Sequence, residues 1–143
     1  MSQETMSPET NSSAAEHCRF CTSKPSRRLM IEGQYGFAAW DRHPVSDGHF
    51  LVIPYRHFSD YFDINDEERE ELWSLVAEGK KMADEKHHPD GYNIGINVGK
   101  WAGQSIPHLH IHVIPRYKGD VENPKGGVRG VIPHKKLYTF TPD

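Results

Sequence analysis

"HLHIHVIPR", residues 108–116, alternates imidazoles with aliphatic side chains: His108, Leu109, His110, Ile111, His112, Val113. Alternation with period two reads as a β-strand, because successive side chains of a strand point to opposite faces. The three imidazoles then share one face, while Leu109, Ile111 and Val113 share the other and supply core. The imidazole face is a candidate site. Just upstream, "YNIGINVG" (92–99) also alternates and reads as a strand, and "KWAGQSIP" (100–107) joins the two as a loop. Further back, "GHFLVIPYRH" (48–57) carries an apolar run from Phe50 to Ile53 ended by Pro54. "RLMIEGQYGFAAWDRHP" (28–44) reads as two short strands around a turn at "EGQ".

The clearest helix lies between these strands. Asn65 with Glu68 fits a capping box, and "DEERE" (66–70) puts acid in the first turns, where the helix dipole favours it. Leu72, Leu75, Val76, Gly79 and Ala83 form an apolar stripe at helical spacing. Lys80, Lys81 and Lys86 lie towards the carboxyl end, with Pro89 beyond it. "HFSDYF" (57–62) suits a short helical turn. Connections too short for parallel crossovers make this a mainly antiparallel α+β domain. Residues 1–17 are polar and read as a disordered tail, 18–120 as the folded domain, and 121–143, rich in Gly, Pro and charge, as an irregular extension.

A net charge of −3 over 143 residues argues against nucleic-acid or membrane-surface partners. No stretch is apolar enough to span a bilayer and no signal peptide is recognisable, so the chain reads as cytoplasmic. The two cysteines, Cys18 and Cys21 in "CRFC", then suggest metal or redox chemistry before a structural disulfide.

Three readings fit the imidazole face: polar side chains on a solvent face, a catalytic metal site, or nucleophilic attack on phosphorus by an imidazole near its ordinary pKa. Gln104 and Ser105, just before the strand, supply the donors that a phosphate oxygen needs. No Asp or Glu lies near the histidines in sequence to complete a typical catalytic zinc site. Both facts favour phosphorus chemistry.

"HLHIHVI" resembles the signature of the histidine triad (HIT) superfamily of nucleotide hydrolases and transferases. The likeness extends to "WDRHPVSDGHFLVIPYRH" (40–57) and "NVGKWAGQSIPHLHIHVIPR" (97–116), and so to most of residues 18–120. It implies a HIT-like fold: a five-stranded antiparallel sheet with one long and one short helix, pairing with a second subunit into a continuous ten-stranded sheet. Residue by residue it implies that His110 is the nucleophile at an α-phosphate, forming a nucleotidyl-histidine. His112 contacts that phosphate and moves the leaving-group proton, and His49 lies beside them. Gln104, Ser105 and Asn97 serve the phosphate end. Asp41 holds the ribose hydroxyls, unless it is only a turn residue before Pro44.

His112 stands where the nucleotidyltransferase branch of the family has Gln, which favours hydrolysis of a nucleoside phosphate derivative such as a diadenosine polyphosphate. A phosphoramidase or nucleotidyltransferase of the same family, or a nucleotide-binding regulatory protein, are the alternatives. "CRFC" resembles the Cys-x-x-Cys of bacterial members that hold a structural zinc. The ligands implied here are Cys18, Cys21, His57 and His108, against the alternative of two reduced thiols without metal. Magnesium enters only as a companion of a polyphosphate substrate. The extension resembles the end of some bacterial HIT hydrolases, with Arg129 able to reach a phosphate or a subunit interface, or simply to lie in a solvated tail.

Overall fold

The computed structural model describes residues 18–22, 27–139 and 142; the expected disordered tail, 1–17, lies outside them. Five strands form one sheet: β1 (Leu29–Glu32), β2 (Gly36–Trp40), β3 (Phe50–Pro54), β4 (Gly91–Gly95) and β5 (Ile111–Arg116). Their order is β1-β2-β3-β5-β4, and every pairing is antiparallel. A four-residue helix, α1 (Arg19–Thr22), precedes the sheet, and the long helix, α2 (Asp66–His87), connects β3 to β4. Among the described residues no helix is long and apolar enough to cross a membrane.

Helix α2 starts where its chemistry dictates. The Asn65 side chain accepts from the Glu68 N–H while the Glu68 carboxylate accepts from the Asn65 N–H, a complete capping box. The helix ends with His88 in the left-handed region (φ 54°). Its buried stripe, Leu72, Leu75, Val76, Gly79 and Ala83, packs on one face of the sheet against Ala38, Phe50, Val52, Ile111 and Val113. Glu71, one position from that stripe, reaches back to the β1–β2 turn and accepts from the backbone N–H groups of Gln34, Tyr35 and Gly36. The other face of the sheet carries Phe37, Ala39, Leu51 and Ile53, with Phe20 and Leu29 against them. That second face holds the site.

The histidine-bearing strand is shorter than its alternation suggests. β5 begins at Ile111, and residues 108–110 run outside the ladder. Opposite them β3 ends at Pro54, which has no N–H to offer. The Leu109 N–H instead donates to the Phe58 carbonyl at 2.7 Å. The extension is also less irregular than its composition suggests: Gly127–Val131 and Pro133–Lys135 form 3₁₀ turns. Arg129 is spent inside it, donating to the Lys135 and Lys136 carbonyls and lying 4.6 Å from the Tyr138 ring centre.

Gly79 decides how closely α2 approaches the sheet. A Cβ there would lie 2.5 Å from Cε2 of Phe50, and Phe50 is fully buried. Gly79→Ala should therefore destabilise the fold by about 1–3 kcal/mol through overpacking, despite a helix-propensity gain of up to about 1 kcal/mol. Denaturant unfolding checks this, with Phe50→Leu/Gly79→Ala recovering part of the loss; a more stable Gly79→Ala would mean that the helix can lift without cost.

Candidate active site

The site is built on a row of cross-strand neighbours. His112 of β5 pairs with Leu51 of β3, Leu51 with Ala39 of β2, and Ala39 with Leu29 of β1. His110, just before β5, shares the face of His112, with ring centres 4.9 Å apart. His49, immediately before β3, is buried beside them, its Nε2 3.0 Å from Nδ1 of His112. Asp41, immediately after β2, has an oxygen 3.2 Å from the same Nε2. The apparent lack of a carboxylate near the histidines is thus a property of the sequence order alone: β2 delivers Asp41 to His49 and His112.

His108 departs from the common face expected for the three imidazoles. Its Nε2 points to the Pro54 carbonyl at 2.8 Å and its Nδ1 points to Cys18, Cys21 and His57. The backbone fixes the tautomers of three of the four imidazoles, and His49 fixes that of His112. His108 must carry its proton on Nε2, because only an N–H can meet a carbonyl. His110 meets the His108 carbonyl through Nδ1 at 2.9 Å, so its Nε2 is a bare lone pair. Nδ1 of His49 accepts from the Val45 N–H at 3.1 Å, so its proton is on Nε2, shared between His112 and Asp41. Nδ1 of His112 accepts that proton, and His112 presents an Nε2–H donor.

Burial keeps these rings neutral. It is the leading cause of the lowered pKa of His110, which the His108 carbonyl and Asp41 oppose. Burial, with His110 and His49 as neighbours, brings His112 down to about 4. His49 is lowered by burial, partly offset by Asp41. The result at neutral pH is a nucleophilic nitrogen beside a hydrogen-bond donor. His49 does not offer a metal a free lone pair, which weighs against Asp41, His49 and His112 acting together as cation ligands.

His110 and His112 open into a cleft of about 160 Å³ whose lining includes Asp41, Asn97 and Ser105. Gln104 does not line it: its amide oxygen accepts from the Gly99 N–H and its amide nitrogen donates to the Ser59 and Ile106 carbonyls. That side chain holds the loop which presents Ser105. The apolar walls include Phe20, Trp40, Leu51 and Ile53, none of which the sequence reading had assigned to the site. Phe20 lies edge-on to His110, ring centres 5.1 Å apart. Its position between the two cysteines was the available signal, as was the period of two that puts Leu51 and Ile53 on one face of β3.

Beside the cleft, the ligand atoms of Cys18, Cys21, His57 and His108 all lie within 4.8 Å of one another. Nδ1 of His108 is 3.2 Å from Nδ1 of His57, 3.4 Å from the Cys18 sulfur and 3.3 Å from the Cys21 sulfur. The bond to Pro54 makes the His108 Nδ1 a bare lone pair. Tetrahedral coordination with bonds of about 2.0–2.3 Å separates ligand atoms by roughly 3.3–3.8 Å, so this donor set fits a cation of that kind. Burial and the neighbouring Cys18 push the Cys21 thiol up to about 11, a state that a cation would reverse.

Residues 23–119 match the HIT domain. The chain is 36% identical over 93 residues to AP-4-A phosphorylase of Mycobacterium tuberculosis, covering 64% of this chain and 48% of that protein. It therefore spans about half the length of that relative. It is 39% identical over 95 residues to bis(5′-adenosyl)-triphosphatase of Dictyostelium discoideum, covering 66% of this chain and 64% of the relative. Among solved structures, a zinc-bound histidine triad family protein from Mycobacterium smegmatis superposes with a TM-score of 0.67 at 33% identity, covering 76% of this chain and 81% of that one. Fold and site define a histidine triad protein. The chain belongs to the HIT family.

Asp41 raises the pKa of His49, His110 and His112 alike. Asp41→Asn should lower all three further, read by NMR titration of the imidazoles. Unchanged values would show that the carboxylate is not felt by the rings.

Proposed function

We propose that this protein is a nucleotidyl hydrolase that cleaves a nucleoside phosphate derivative, such as a diadenosine polyphosphate, at the α-phosphorus. The observation that carries the reading is the tautomer chain. The His108 carbonyl holds the proton on Nδ1 of His110, which leaves Nε2 as the nucleophile in the cleft. Nε2 attacks phosphorus and the bond to the leaving oxygen breaks. The leaving phosphate departs as an anion, its new charge met by a hydrogen bond from the Nε2–H of His112. Water then attacks the phosphorus, its proton passes to solvent, and the N–P bond breaks to restore His110. His49, donating to His112, keeps that ring in the tautomer that the first step needs. In this reading Ser105 and Asn97, both in the cleft lining, donate to the non-bridging oxygens. Asp41 accepts from the His43 N–H and has lone pairs left for ribose hydroxyls.

The names of the relatives support a dinucleoside polyphosphate substrate. Because one is a phosphorylase, the acceptor should be tested with inorganic phosphate as well as water. The cysteine–histidine cluster holds a structural zinc in this reading, supported by its donor set and by the zinc-bound relative. The chain pairs as a homodimer through β4, which lies at the edge of the sheet, into the ten-stranded sheet of the family.

His110→Ala should lower turnover of diadenosine polyphosphates by about four orders of magnitude or more and leave nucleotide binding nearly intact. A mutant that keeps a tenth of the wild-type rate would remove His110 from the nucleophile's role. Metal analysis of the purified protein should find about one zinc per chain, lost in Cys18→Ser/Cys21→Ser; metal-free wild type with free thiols and full thermal stability would sink the zinc assignment.

A further inference from the structure

The cleft is not uniform along its length. At one end stand His110, His112, Asn97 and Ser105; the lining also includes Arg19, Arg28 and Arg42, with Asp41 the only lining carboxylate among the described residues. These cations come from three elements. Arg19 belongs to α1, Arg28 immediately precedes β1 and Arg42 follows β2 by two residues. The row from His112 through Leu51 and Ala39 to Leu29 crosses three strand spacings, or roughly 14 Å. Arg28, next to Leu29, therefore lies at the far end of the floor from the reacting imidazoles. Its backbone carbonyl accepts from the Trp40 N–H, which pins its position. Between the two ends the floor residue is Ala39, whose small side chain leaves the row open.

None of the three guanidiniums is in an ion pair among the described residues. Arg28 makes one 3.5 Å contact to the Trp40 carbonyl, and Arg19 and Arg42 are exposed. The chain as a whole is acidic, with 20 Asp and Glu against 17 Lys and Arg. Three cations without an ion pair around one cleft therefore stand against the overall charge. A nucleobase edge engages a guanidinium through a bidentate contact, and a base face can stack on another. A phosphomonoester has three acceptor oxygens and about two charges, and it matches a cluster of guanidiniums.

Taking the nucleotide reading of the site as given, we propose that the preferred substrate carries a second phosphate on one ribose oxygen of its nucleoside moiety, 2′ or 3′, bound by Arg19, Arg28 and Arg42, with the remaining hydroxyl left to Asp41. The phosphorus attacked lies at His110, and the leaving group departs on the other side.

The test is calorimetric binding of product-like ligands to the full chain: adenosine 5′-monophosphate, adenosine 2′,5′- and 3′,5′-bisphosphate, and guanosine 5′-monophosphate. Each is measured with wild type, the exposed single variants Arg19→Gln and Arg42→Gln, and the triple variant adding Arg28→Gln. One bisphosphate should bind about tenfold or more tighter than the monophosphate, in keeping with charge-assisted hydrogen bonds. The advantage should shrink in each single variant, vanish in the triple variant and weaken with salt. Equal binding of mono- and bisphosphate, or an advantage that survives in the triple variant, overturns the proposal and leaves the nucleotide reading standing. A preference for the guanosine ligand without any gain from the second phosphate overturns it too, and assigns the arginines to the base. If none of the nucleotides binds, it is the nucleotide reading itself that fails.

Discussion

The hydrogen bond from Nε2 of His108 to the Pro54 carbonyl organises this molecule. Proline at the end of β3 cannot donate to a neighbouring strand, so the ladder stops there and β5 starts late. The carbonyl it leaves free captures His108. That capture turns the first imidazole of the triad away from the cleft and towards the cysteines. It also orients the peptide after His108, so that its carbonyl meets the second imidazole. One backbone acceptor thus separates a ligand-like histidine from a nucleophile-like one two residues away. Without it, three chemically identical rings on one strand face would have no reason to differ.

Burial completes the separation. The imidazole cluster is held neutral chiefly by desolvation, and the protein aligns its protons with backbone groups on three of the four rings. Backbone acceptors and donors are stiffer than side chains, because they are anchored at both ends. Tautomers set in this way carry little reorganisation cost when charge develops nearby.

Much of this was legible in the chain. The alternation after Pro107 identified β5 from Ile111 onward and the face that His110 and His112 share; the Asn65–Glu68 box and the stripe from Leu72 to Ala83 identified α2. What was not legible depends on where strands meet. The path of His108 follows from the end of a strand 54 residues earlier. Asp41 reaches His49 and His112 only because β2 and β5 both flank β3. Gln104 looked like a free donor in a Gly-Gln-Ser stretch, but the carbonyls of its own loop and of Ser59 occupy it. Arg19, Arg28 and Arg42 are scattered over 24 positions of an acidic chain, and no local pattern marks them as neighbours.

Glu71 carries a consequence for the order in which this molecule opens. A short hairpin at the sheet edge would ordinarily fray long before the domain unfolds. Here one helical carboxylate accepts from three successive amides of the turn, so opening the hairpin breaks all three bonds. The β1–β2 turn and the long helix are thereby tied together, and amide exchange at Gln34, Tyr35 and Gly36 should follow the helix's docking on the sheet rather than local turn flexibility.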